Sequence, residues 1–158
     1  ETTTHALTNG LLALLRHPDQ LALLRQNPAL IPAAFEELLR YDTSVQRSAR
    51  RVAQDCVIGG RQIRAGQRIV GLLGSANRDP AHFADPERLD VMRQANKHIA
   101  FGFGVHFCLG APLARLEAPL VLAALLAQLP HVQLDETQPL HWRRDVALRG
   151  LESLWLQY

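Results

Sequence analysis

The residues with the strongest chemical content lie in one stretch, Phe101-Gly102-Phe103-Gly104-Val105-His106-Phe107-Cys108-Leu109-Gly110. Gly102 and Gly104 permit positive φ, or a close approach of the backbone to a flat ligand. Cys108 falls just before a predicted helix that opens at Ala111. Free N–H groups and the helix dipole favour a thiolate at such a position. Phe101, Phe103 and Phe107 are expected to keep water away from it. A shielded thiolate on a tight loop, fed by backbone N–H donors, suits the axial position of an iron centre. A lone cysteine in a Gly/Phe turn can equally be a small buried hydrophobe.

Other groups could also carry chemistry. Glu37 and Arg40 are three residues apart on a predicted helix, so the carboxylate and guanidinium share a face and can pair. His98, His106 and Cys108 could together form an open zinc site, but no general base stands at a recognisable spacing from them. Arg47, Arg50, Arg51, Arg61, Arg64 and Arg68 form a basic run. It lacks the interleaved aromatics that stack nucleic-acid bases, so no nucleic-acid partner is expected.

These groups need elements to position them. The 158 residues suit one domain. Apolar residues at 47% and charged residues at 20% exclude a disordered chain. The longest apolar run, Ala118 to Ala127 interrupted by Pro119, falls short of the ~20 residues a bilayer span needs. No membrane partner and no signal peptide are expected. A net charge of +2, with Lys97 the one lysine, is too mild to imply a polyanionic partner. Two cysteines, Cys56 and Cys108, do not suggest a disulfide framework, so a cytoplasmic setting is expected.

The pattern predicts helices over 1–41, broken at His17-Pro18-Asp19 and at Asn27-Pro28, with the last opening near Ile31-Pro32. Residues 43–75 read as a small antiparallel sheet, with turns at Gly59-Gly60 and Ala65-Gly66. Residues 76–110 read as an irregular meander ending in the cysteine loop. A helix over 111–129 is expected to bury Leu113, Leu116 and Leu120. Short strands fill 131–158.

The full pattern F-x-x-G-x-x-x-C-x-G, from Phe101 to Gly110 with His106 two residues before Cys108, resembles the haem-binding loop of cytochrome P450. That family comprises the haem-thiolate monooxygenases, and the match is to its bacterial, soluble type. Glu37-Leu38-Leu39-Arg40 resembles the family's E-x-x-R motif. Phe83-Ala84-Asp85-Pro86-Glu87-Arg88 resembles the region that supplies a further arginine. Asn77-Arg78-Asp79-Pro80 resembles the approach to that region. The resemblance implies a mainly α fold with small antiparallel β-sheets, and places this chain in the C-terminal, haem-ligating part of a single larger domain.

It also implies roles. Cys108 would ligate the iron of haem b, with Phe101 and Gly110 shaping its loop. Arg50 and His106 would bind haem propionates. Glu37, Arg40 and Arg88 would form a buried structural triad beneath the loop. Glu1-Thr2 resembles the acid–alcohol pair of the oxygen-binding helix, where the two side chains handle protons and dioxygen. The expected reaction is insertion of one oxygen atom into a small apolar organic substrate. Electrons would come from a ferredoxin- or flavodoxin-type donor, with Arg115 a candidate contact. Ser44 and Trp155 stand where the family commonly has proline, so the pocket shape departs from the pattern. The competing expectation is a truncated, non-catalytic fragment that binds haem weakly or not at all. It would associate with itself, or with a missing N-terminal half, through leucines left bare on the first helix.

Overall fold

The computed structural model describes all 158 residues. Helix α1 spans Thr2–Leu15 and α2 spans Pro18–Gln26, with Pro18 at the start of α2 where its missing N–H costs nothing. A 3-10 turn at Pro28–Leu30 leads into α3, Ile31–Tyr41. Strands β1 (Arg47–Arg51), β2 (Cys56–Ile58), β3 (Arg61–Ile63) and β4 (Arg68–Leu72) follow. A short α4, Leu73–Ala76, opens the meander. A 3-10 turn at Gly104–His106 precedes α5, Ala111–Gln128. Strands β5 (Gln133–Leu134) and β6 (Leu156–Gln157) close the chain.

The sheets are three antiparallel two-stranded ribbons: β1 with β4, β2 with β3, and β5 with β6. Arg50 pairs with Ile69 in the first ribbon. A single bridge from Val45 to Leu148 pins the C-terminal tail to the body, and one from Trp142 to Leu151 folds the tail on itself. The fold is therefore mainly helical with small antiparallel sheets, as the resemblance implies.

The larger core cluster joins Leu14 of α1, Leu21 and Leu24 of α2, Leu38 of α3, Leu89 and Val91 of the meander, and Leu122 and Leu126 of α5. A smaller cluster of Ala6, Phe35, Leu39, Ala100 and Ala118 backs the cysteine loop. Gly10 lets α1 and α3 approach closely, since a Cβ there would stand 3.0 Å from Leu38 Cδ1.

Two expectations about apolar faces fail. Leu113, Leu116 and Leu120 are 57%, 62% and 63% exposed, and α5 packs instead through Ala111, Ala114, Ala118, Leu122 and Leu126. Apart from Arg115 and Glu117 this helix is apolar through Leu126, so periodicity alone does not choose the buried stripe. By length and a mean hydropathy of 1.3, α5 would pass for a bilayer span, contrary to expectation. Here one of its faces lies against α1 and α3. The leucines of α1, by contrast, are not bare: Leu11, Leu12 and Leu14 are all buried.

Candidate functional site

The cysteine loop is shaped by its own backbone. Gly102 and Gly104 both take φ of 75°, a conformation that disfavours any side chain. The Cys108 N–H donates to Phe101 O at 2.9 Å, which closes the loop, and the Phe107 N–H donates to Gly104 O at 3.0 Å. The Ala111 N–H then donates to Cys108 O at 3.2 Å as α5 begins. A Cβ on Gly110 would stand 3.8 Å from Cys108 Sγ, an ordinary van der Waals contact. The Phe101 and Phe107 rings meet edge to face with centroids 6.2 Å apart. The expected shield over the sulfur is not formed within this chain: Cys108 is exposed, Phe107 is 46% exposed, and Phe103 does not join the pair. It is 89% exposed, because the extended residue between two left-handed glycines projects it outward.

Beneath the loop lies the buried charge network. Glu37 and Arg40 are both fully buried. Arg40 donates to Glu37 through Nε at 2.7 Å and Nη2 at 2.9 Å, a bidentate pair. The second guanidinium on Glu37 belongs to Arg93, whose Nε lies 3.1 Å from both carboxylate oxygens. This corrects the expectation for Arg88. The Arg88 side chain is exposed, and only its carbonyl takes part, accepting from Arg40 Nη2 at 3.1 Å and Arg93 Nη2 at 3.2 Å. The chain turns at Arg88, so its backbone faces inward while its side chain faces water. Asn96 Nδ2 and the Asp90 N–H complete the Glu37 shell at 3.1 and 3.0 Å.

Asn77 links that network to the loop. Its carbonyl accepts from Arg40 Nη1 at 2.9 Å, and its Oδ1 accepts from the Ile99 N–H at 2.8 Å. The Ile99 carbonyl in turn accepts from the Gly102 N–H at 2.9 Å. A second carboxylate works from the other side. Glu36 accepts from Arg115 through Nε and Nη2, each at 2.8 Å, and faces His98 Nε2 at 3.0 Å. Burial opposes its charge, but hydrogen bonds from Arg115 and His98 outweigh that and lower its pKa to about 2. Arg115, the candidate partner contact, is thus held by Glu36 while its side chain stays 42% exposed. His98 Nδ1 also accepts from the Ala100 N–H at 3.1 Å. Both His98 ring nitrogens are engaged, so the zinc reading with His106 and Cys108 loses a ligand.

The loop faces a cleft of about 320 Å³. Thr2, Thr3 and Ala6 of α1 line it, opposite Phe101, His106, Cys108 and Gly110. Phe35, Leu39, Val45 and Leu113 supply apolar wall, and Ser44, Ser48 and Arg50 supply a polar edge. Arg50 donates to Ser48 Oγ at 2.7 Å and Ala49 O at 2.8 Å. It is exposed and has no carboxylate partner within the chain. Glu1 does not line the cleft. Its carboxylate lies 3.3 Å from Arg143 Nη1 and 3.6 Å from His5 Nε2.

Residues 1–145 match the family Cytochrome P450. The chain belongs to the cytochrome P450 family. The polyketide biosynthesis P450 PksS of Bacillus subtilis is 49% identical over 98% of this chain. Cytochrome P450-SU2 of Streptomyces griseolus is 47% identical over the same share. This P450 chain spans 38% and 39% of their respective lengths. Among solved structures, P450BioI in complex with a hexadec-9Z-enoic acid ligated acyl carrier protein superposes with a TM-score of 0.96. It is 43% identical, over all of this chain and 41% of that one. The tirandamycin C-bound P450 monooxygenase TamI gives 0.94 at 43% identity, over 99% of this chain and 39% of that one.

The donor set fits the haem that P450 proteins carry. One soft thiol faces a cleft with apolar walls, and a cation without an internal partner stands at its edge, suited to a carboxylate. Arg93, Asn77, Asn96 and Glu36 are the supporting residues that sequence reasoning missed. Only Glu36 carried a local signal, as the carboxylate beside Glu37.

Proposed function

We propose that this chain is the haem-ligating part of a longer haem-thiolate monooxygenase, and that Cys108 is its iron ligand. The observation that supports the reading is the cleft itself, which Cys108 and Thr2 both line. Arg50 and His106 line the same space, in a chain of the P450 family. Held there by Cys108, a haem supplies dioxygen activation for insertion of one oxygen atom into an apolar substrate.

The chain's own residues do the rest. The Phe101 carbonyl holds the Cys108 amide, so the sulfur is presented from a closed turn. Arg50 and His106 offer donors to the cofactor carboxylates. Thr2, which lines the cleft, would donate a hydrogen bond there through its hydroxyl. Glu1 pairs with Arg143 outside the cleft, so its side chain takes no part there. Phe35, Leu39, Val45 and Leu113 line the cleft and would favour an apolar guest. Electrons come singly from a ferredoxin- or flavodoxin-type donor. A cytoplasmic setting agrees with both cysteines being free thiols.

The test is oxygenation of an apolar probe by the longer protein under isotopically labelled dioxygen. One labelled atom should enter the product, and Thr2→Ala should divert reducing equivalents to peroxide. Unlabelled product would contradict the reading. A second reading applies to the 158 residues alone. Leu109, Leu113, Leu116, Leu120 and Val121 form an exposed apolar surface, which favours a chain that self-associates and does not turn over. A monomer with one haem per chain and oxygenase turnover would rule it out.

A further inference from the structure

Adjacent carboxylates on α3 point to opposite sides of the cysteine loop. Glu37 faces inward and reaches the loop through Arg40, Asn77 and Ile99. Glu36 faces α5 and reaches it by a separate route. Its two oxygens take the Arg115 fork, with Nε on Oε1 and Nη2 on Oε2, both at 2.8 Å. Oε2 also faces His98 Nε2 at 3.0 Å. The Ala100 N–H occupies His98 Nδ1, so the ring proton must sit on Nε2 and donate to Glu36. One carboxylate therefore fixes both a guanidinium and an imidazole.

Both of those groups touch the same ring. The Arg115 guanidinium carbon lies 4.8 Å from the Phe101 ring centroid, within cation–π range. The His98 ring centroid lies 6.1 Å from it. Phe101 is the residue whose carbonyl accepts the Cys108 N–H. Holding the Phe101 ring thus holds the acceptor that closes the turn on the sulfur-bearing residue.

We propose that Glu36 is a positioning residue for the Cys108 ligand, acting through Arg115 and His98 on Phe101. This rests on the haem-thiolate reading for its chemical purpose, while the mechanical link to Cys108 stands on this chain alone. A plain surface ion pair would add a little stability and leave Cys108 unaffected. A positioning residue makes the Cys108 amide depend on the Glu36 carboxylate. The planar Arg115 fork matters as well as its charge, because lysine can neither bind bidentately nor lie flat on a ring.

The experiment is amide hydrogen exchange on the 158-residue chain, comparing wild type with Glu36→Gln, Arg115→Lys and Arg115→Gln. The Cys108 amide should exchange about tenfold faster in each variant, the loss of roughly one charge-assisted hydrogen bond. The Asp90 amide, held by Glu37, should change by less than about twofold. Because Arg115 is exposed, its variants carry the test even if Glu36→Gln does not fold. After haem loading, the same variants should show a smaller share of the thiolate-type carbon monoxide band at equal haem content. An unchanged Cys108 amide in the Arg115 variants overturns the proposal. So does full retention with Arg115→Lys, which would reduce the fork to a charge. Failure of the wild-type chain to bind haem would count against the monooxygenase reading, and leaves the amide result to decide the link.

Discussion

Replacing Arg93 with alanine should destabilise the chain far more than replacing Arg88. Arg93 Nε lies 3.1 Å from each Glu37 oxygen, and its Nη groups donate to the carbonyls of Ala84 at 2.8 Å, Asp85 at 3.3 Å and Arg88 at 3.2 Å. Breaking a buried ion pair from one side costs about 3–5 kcal/mol when the survivor is left alone. Glu37 would not be alone, since Arg40, Asn96 and the Asp90 N–H still donate to it. The expected loss is therefore about 2–3 kcal/mol, the scale of a lost charge-assisted hydrogen bond. For a chain of this size that lowers Tm by roughly 4–12 °C. Arg88→Ala keeps the carbonyl that Arg40 and Arg93 use and removes only an exposed side chain. It should cost less than about 0.5 kcal/mol. Thermal and urea denaturation followed by circular dichroism measure both. Equal losses for the two variants, or a larger loss for Arg88→Ala, would refute the assignment of Arg93 to the network.

Four further outcomes follow from the same geometry. The Glu36 carboxyl has its pKa lowered from 4.5 to about 2, so its stabilisation is complete above 4.5 and is lost as pH falls from 4.5 toward 2. The stability gap between wild type and Glu36→Gln should close over that window in acid denaturation; a gap constant down to about pH 2 would contradict it. Asp42 runs the other way, since burial raises its pKa in spite of Arg149, and so its contribution falls as pH rises through and above 3.8. Leu116→Glu with Leu120→Glu should alter the stability of the chain by less than about 0.5 kcal/mol and reduce self-association in size-exclusion chromatography. Leu122→Ala, on the buried side of the same helix, should cost about 2–4 kcal/mol.

Much of the architecture was legible because its punctuation is local. Pro18, Pro28 and Pro32 mark helix starts, and Gly59-Gly60 and Gly66 mark turns at positive φ. What failed was long-range. No local pattern distinguishes Arg88 from Arg93, since only the path of the meander decides which guanidinium reaches Glu37. On α5 the leucine spacing suggested a buried face, but small residues at Ala111, Ala114 and Ala118 allow closer packing than leucine would. The loop was readable at Gly102 and Gly104, where positive φ leaves a residue-type signature. Glu36, Asn77 and Asn96 act through partners 22 to 79 residues away in sequence, and nothing near Asn77 or Asn96 announces it.

The account stands on sulfur at position 108 holding haem iron in the cleft opposite Thr2. The absorption spectrum of the reduced carbon monoxide complex tests this most directly, with Cys108→Ser beside the wild type. The wild type should show the strongly red-shifted Soret band of thiolate ligation, and Cys108→Ser should lack it. A red-shifted band that survives in Cys108→Ser, or a wild type that binds haem without one, would contradict the assignment.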